Sequence, residues 1–192
     1  MKIYGNIGSG NCLKVKWICD ALNIPYTWVA TEVTNGETRT PEFLALNPAG
    51  QVPVVVFDDG RTLAQSNAII RYLARGSRFI PEDDFAQARM DAWLFWEQYS
   101  HEPYIAVCRF QMVYLGRSRD QREPERVKRG EAALALMDRH LSNSQFLVGE
   151  AVTLADVALL AYSRVAPEGG FDLTAYAALR RWIGEAERDL KL

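Results

Sequence analysis

Residues 47–73 read NPAGQVPVVVFDDGRTLAQSNAIIRYL, and this stretch decides how the rest of the chain is read. Asn47-Pro48-Ala49-Gly50 has turn chemistry, because Pro fixes φ and Gly tolerates φ > 0. Residues 52–57 are an apolar, β-branched run interrupted only by Pro53. A proline cannot donate to a sheet ladder, so Pro53 belongs at the first residue of the strand, or cis in a tight turn. A cis Val52–Pro53 bond is the expectation. Asp58-Asp59-Gly60 closes a hairpin onto a short strand at 61–63. Gln65-Ser66 then precedes a helix expected to carry Ala68, Ile69, Tyr72 and Leu73 on one face. The pattern places a free backbone edge at Val52 close to a helix N-terminus at Ser66. An edge pairs with a peptide backbone, and a helix N-terminus holds a carboxylate.

Toward the N-terminus, Lys2-Ile3-Tyr4 is a short strand and residues 5–10 form a glycine-rich loop. From Asn11 the apolar residues Cys12, Val15, Ile18, Cys19 and Leu22 recur at helical spacing, and Asn23-Ile24-Pro25 ends the helix. Residues 26–33 read as a second strand, so strand, helix and strand form a right-handed parallel crossover. Thr40 is an N-cap with Pro41 at the first helical position. The order is βαβαββα, a small sheet covered by helices. Gly8-Ser9-Gly10 lacks the spacing and the GK[ST] of a nucleotide loop.

The C-terminal side is helical in pattern. Residues 77–84 (SRFIPEDD) are linker-like in composition, which divides the chain into 1–76, the linker, and an all-helical 85–192. A long aromatic-rich segment runs from Phe85 to about Leu115, with a kink expected at Pro103. GRSRDQREP is a charged loop, and Pro124 opens a helix with Val127, Leu134, Met137 and Leu141 in register. Thr153-Leu-Ala-Asp156 is a capping box, flanked by Val152 and Val157 as a hydrophobic staple. Its loss is expected to cost about 1 kcal/mol.

Composition excludes several classes. Of 192 residues, 48% are hydrophobic and 24% charged, with a formal net charge of −2, which offers nucleic acid or a membrane surface no electrostatic attraction. No apolar run approaches the roughly 18 residues of a membrane span, and MKIYGNIG lacks a secretory h-region. Cys12, Cys19 and Cys108 with His101 and His140 have no metal-site spacing, so no metal is expected. A reduced, cytoplasmic chain without disulfides is the expectation.

GQVPVVV followed by LAQSNAIIRYL resembles the glutathione-binding half of the cytosolic glutathione transferases, and the likeness extends over essentially the whole chain. It implies a thioredoxin-like N-terminal domain and an all-α C-terminal domain. SGNCLKV is similar to the first loop of the bacterial serine-type (theta/nu-like) branch, in which a Ser at the position of Ser9 lies beside the glutathione sulfur. Asn11, through its amide, and Cys12, through a mixed disulfide, are the alternatives other bacterial branches suggest. Tyr4 reads as a strand core residue. A free thiol titrates near ~8.5, and the thiolate is the nucleophile. One charge-assisted hydrogen bond contributes about 1.5–3 kcal/mol, enough to lower that by about 1–2 units.

The resemblance further implies that Val52, presented by cis-Pro53, meets the tripeptide backbone and that Gln65 and Ser66 hold the γ-glutamyl end. Gln51, Thr38 and Arg39 would lie at the glycine end. Gln65 replaces the more frequent Glu and weakens the charge pairing there. Tyr104 and Arg109 are candidates for the electrophile pocket. The implied activity is conjugation of glutathione, as co-substrate, to a hydrophobic electrophile in detoxification, by a homodimer. A glutathione-dependent peroxidase, disulfide reductase, dehalogenase or isomerase on the same fold is the alternative, and a non-catalytic binding module is the alternative of a different class.

Overall fold

The structure is a computed structural model that describes residues 1–192. The chain divides into two units, Met1–Ser77 and Arg78–Leu192. In the first, β1 (Lys2–Gly5), α1 (Gly10–Ala21) and β2 (Thr27–Ala30) form the expected crossover, with β1 and β2 parallel and Ile3 opposite Trp28. After a 3-10 turn at Glu37–Arg39 come α2 (Pro41–Leu46), β3 (Val54–Val56), β4 (Thr62–Ala64) and α3 (Ser66–Leu73). The sheet order is β2-β1-β3-β4, and β3 runs antiparallel to both neighbours. This is the thioredoxin-like βαβαββα arrangement. Ile3, Val15, Ile18, Val54, Val55, Ile69 and Ile70 are fully buried and form its core.

Three details depart from the sequence reading. The second strand stops at Ala30 rather than running to 33. There the Thr31 N–H still reaches Gly5 O, but the Glu32 N–H turns to the Glu37 carboxylate at 2.7 Å. Strand β3 is internal, so unpaired backbone is confined to the residues ahead of it, Val52 and Pro53. On α3 the inward residues are Ser66, Ile69 and Ile70, while Ala68 and Tyr72 face outward. Tyr72 packs edge-on to Phe57 at 5.3 Å instead of joining the core.

The second unit is helical: α4 (Asp84–Trp96), α5 (Glu102–Val113), α6 (Pro124–Leu141), α7 (Leu154–Ser163) and α8 (Ala177–Leu190). Residues 78–83 belong to it. Phe79 in that stretch is fully buried, and its carbonyl accepts the Leu154 N–H at 3.0 Å. The expected kink at Pro103 is a π-helical turn at Glu97–His101. The wider turn absorbs the change in the ladder just before Pro103, which then sits in the first turn of α5, where no intrahelical donor is needed. No helix is long and apolar enough to cross a membrane.

Helix α7 is buried along its whole length and is fixed by Asp156. The Thr153 N–H and hydroxyl donate to its Oδ2 at 2.8 and 2.9 Å, completing the capping box. Its Oδ1 accepts the Leu147 N–H at 2.9 Å and the Trp182 indole N–H from α8 at 2.8 Å. Burial raises the proton affinity of this carboxyl, and the surrounding donors oppose that rise. One side chain therefore joins the α6–α7 loop, the start of α7 and α8. This is more than the cap the sequence suggested, because Ala at this position would strand several buried donors at once. We expect Asp156→Ala to lower stability by about 3–5 kcal/mol, against about 1 kcal/mol for Thr153→Ala, which keeps the carboxylate. Urea denaturation followed by tryptophan fluorescence compares them; equal midpoints would show that the Leu147 and Trp182 bonds contribute nothing.

Candidate functional site

The first unit brings two helix N-termini together beside the loop that precedes β3. Ser9 is the N-cap of α1, with φ −87° and ψ 120°, and its Oγ accepts the Cys12 N–H at a long 3.5 Å. An N-cap hydroxyl is favoured there because the first helical N–H groups lack partners. The loop before it is held by Asn6, whose carbonyl accepts the Ser9 N–H and whose Oδ1 accepts the Gly8 N–H at 2.7 Å. Asn6 Nδ2 in turn donates to Glu32 at 2.7 Å. Ser9 is thus placed by the chain on both sides of it.

Ser66 opens α3, and its hydroxyl donates to Asn11 Oδ1 in the first turn of α1 at 3.1 Å. Gln65, the N-cap of α3, has φ +70° and ψ 109° and makes no side-chain cap. A non-glycine residue held there costs on the order of 1–3 kcal/mol and persists only where its surroundings impose it. Its exposed side chain and the partly buried start of α3 face an unusual backbone corner.

The Val52–Pro53 bond is cis, as the sequence predicts. The turn ahead of it is built by Asn47, which is buried. Its Nδ2 donates to Gln51 O at 2.8 Å, and its Oδ1 and carbonyl accept the N–H groups of Ala49 and Gly50. Gly50 has φ +62°, and a Cβ there would collide with the Arg39 guanidinium and lie 3.0 Å from Thr38 O. Arg39 closes over this turn by donating to Ala49 O at 3.3 Å. Thr38 is 1% exposed, and its Oγ1 has no hydrogen-bond partner. Gln51 and Arg39 are exposed beside it. Asn47 escaped the sequence reading as anything but a turn residue, although its place before Pro48 was the available signal.

Cys12 is fully buried, and burial pushes its thiol up, with the Ser9 contact opposing. Cys19 is pushed up to about 12, chiefly by burial, and Cys108 also rises for that reason. A thiol so placed is a poor nucleophile. No three His, Cys, Asp or Glu side chains gather as a metal site. In the second unit, Tyr104 and Arg109 both lie on α5, five residues apart, and leave it on different sides. The Tyr104 hydroxyl accepts from Arg129 of α6 at 3.1 Å, and Arg109 Nε pairs with Glu168 at 2.7 Å.

Known proteins share this architecture. The family models described as glutathione S-transferase N-terminal and C-terminal domains match residues 8–75 and 120–185. Glutathione S-transferase 3 of Zea mays is 31% identical over 165 residues, which cover 81% of this chain and 73% of that protein. A glutathione S-transferase structure from Pseudomonas fluorescens Pf-5 matches with a TM-score of 0.94 at 45% identity, covering 97% of this chain and 94% of its own. A maleylacetoacetate isomerase from Methylobacterium extorquens AM1, solved with bound malonate and GSH, matches with a TM-score of 0.82 at 27% identity, covering 100% and 94%.

The buried thiols give a direct expectation. At pH 8 the folded protein should leave Cys12, Cys19 and Cys108 unreacted with an aromatic disulfide reagent over minutes, and all should react after unfolding in guanidinium. Fast reaction of one thiol in the folded state, lost in Cys12→Ser, would restore Cys12 as a redox centre.

Proposed function

The chain belongs to the glutathione S-transferase family and is a glutathione transferase, and we propose that Ser9 supplies the hydrogen bond that holds its glutathione as thiolate. The observation that carries this reading is the Ser9 hydroxyl at the N-cap of α1. Its oxygen accepts from Cys12 N–H, so its own proton is the one to donate to a sulfur. The partial positive charge of the α1 N-terminus adds to the same preference for an anion. Of the other candidates, Cys12 is buried with its thiol raised, while Asn11 accepts from Ser66 through Oδ1 and keeps its Nδ2 as the rival donor.

Glutathione is the co-substrate, and this chain's residues bind and orient it. Ser66 at the start of α3 offers its backbone N–H and a helix N-terminus to the γ-glutamyl carboxylate, its hydroxyl proton being given to Asn11, and the side chain of Gln65 reaches the adjoining ammonium. The backbone of Val52, ahead of Pro53 and outside the ladder, pairs with the cysteinyl peptide group. Arg39 and Gln51 supply charge and amide at the glycine carboxylate, with the buried Thr38 hydroxyl behind them. The serine-type branch is the one that fits Ser9. The electrophile is hydrophobic, and because Tyr104 and Arg109 leave α5 on different sides, at most one of them faces it. The three unpaired cysteines suit a reducing cytoplasm, and detoxification is the corresponding role.

A homodimer is part of the same reading. Phe85, Phe95 and Tyr99 along α4 and its π turn are 74%, 76% and 80% exposed, beside an open groove of about 340 Å³ lined by Arg89, Ala92, Trp93, Trp96 and Leu136. Phe85, Ala92 and Tyr99 recur every seven residues, the spacing with which one helix packs on a second copy of itself. Phe95→Glu should turn the dimer into a monomer in sedimentation velocity; a wild-type monomer at micromolar concentration overturns this assignment.

Catalysis is tested by the ultraviolet thiolate absorbance of the glutathione complex and by turnover on a panel of electrophiles and hydroperoxides. Ser9→Ala should raise the bound thiol's pKa by about 1–2 units and slow conjugation near neutrality, with recovery at higher pH and little loss of binding. A midpoint moved by Asn11→Ala and not by Ser9→Ala would give the role to Asn11.

A further inference from the structure

Lys14 is fully buried on α1, although it lies off the apolar spacing of Cys12, Val15, Ile18 and Cys19. A buried ammonium is retained against a desolvation penalty that an apolar side chain of similar size would avoid, so its presence points to a role beyond packing. Its Nζ donates to Asn67 Oδ1 on α3 at 3.4 Å. The adjacent residue, Ser66, donates to Asn11 on α1 at 3.1 Å. Asn11 and Lys14 are three residues apart and share a face of α1. The first turn of α3 is therefore attached to α1 at two points, 11 to 66 and 14 to 67.

We propose that Lys14 is a positioning residue for glutathione, acting through Asn67 to hold the first turn of α3 at a fixed place against α1. This rests on the reading of Ser66 and Ser9 as glutathione contacts. Ile69 and Ile70 hold the body of α3 in the core, and the Ser66–Asn11 bond alone leaves its first turn a freedom of rotation. The second attachment removes that freedom, so the γ-glutamyl anchor and the sulfur donor keep the one separation the tripeptide spans. The ammonium also lies close enough to the first turn of α1 to oppose the rise of the Cys12 thiol.

The test compares Lys14→Met, Lys14→Arg, Asn67→Ala and the Lys14→Met/Asn67→Ala double variant with the wild type. The readouts are KM for glutathione, kcat at saturating glutathione, the thiolate titration midpoint and the melting temperature. Lys14→Met and Asn67→Ala should each raise KM for glutathione about 10- to 100-fold. The double variant should be no worse than the worse single one, because both break one contact. Lys14→Arg should recover most of the loss. A folded Lys14→Met with wild-type KM and midpoint overturns the proposal, as does multiplication of the two single effects in the double variant. If Lys14→Met does not fold, Asn67→Ala decides, and a wild-type KM there overturns it. Wild-type protein that binds no glutathione overturns the parent reading together with this one, whereas binding that the variants leave unmoved overturns this one alone.

Discussion

The hydrogen bond from Ser66 to Asn11 ties together positions 55 residues apart and makes two helix N-termini neighbours. Each terminus carries a partial positive charge, so their meeting concentrates preference for anions in one corner of the first unit. The rest of that unit can be understood as what places the two helices. β1 and β2 run parallel because α1 crosses between them, and β3, paired antiparallel to β1, delivers the chain through β4 to the start of α3. A single long-range contact of this kind contributes about 1 kcal/mol to stability. Its larger effect is geometric, since it fixes how the first turns of α1 and α3 meet.

Backbone conformation does as much as side-chain chemistry here. Gln65 occupies a positive-φ corner with no glycine to ease it, and it is followed at once by Ser66. Gly50 has the opposite character: its positive φ and the closeness of Arg39 and Thr38 leave no room for a Cβ. Between these two corners the Asn47 side chain replaces the missing backbone ladder by bonding to Ala49 and Gln51. Backbone groups left outside a sheet need such partners, and the ones still unpaired at Val52 suit a peptide-like ligand.

The second unit is organised by a buried carboxylate. Asp156 gathers donors from Leu147, Thr153 and Trp182, and α7 is buried throughout around it. Full satisfaction of those donors is what allows an ionisable group in that core. The aromatic residues Phe85 and Phe95 on α4 remain exposed outside that core.

The local signals in the sequence determined a good deal. Pro53 after a turn and before an apolar run fixed the cis bond, Thr40-Pro41 and Thr153–Asp156 marked helix starts, and the alternation of strand and helix set the crossover. All of these act over a few residues, where propensity and steric exclusion operate without help. The turn, strand and helix start that carry Gln51, Val52 and Ser66 were legible for the same reason, whereas the roles expected of these residues and of Ser9 came from the resemblance to a known family. What only the tertiary structure decided depends on residues far apart in the chain. The outward turn of Ala68 and Tyr72 followed from which side of α3 meets α1. The π turn before Pro103 followed from how α4 and α5 had to continue as one packed segment. The burial of Thr38 and Lys14, and the reach of Asp156 to Trp182, follow from packing across dozens of residues, and packing leaves no periodic trace in the sequence for a polar side chain whose partner lies far along the chain.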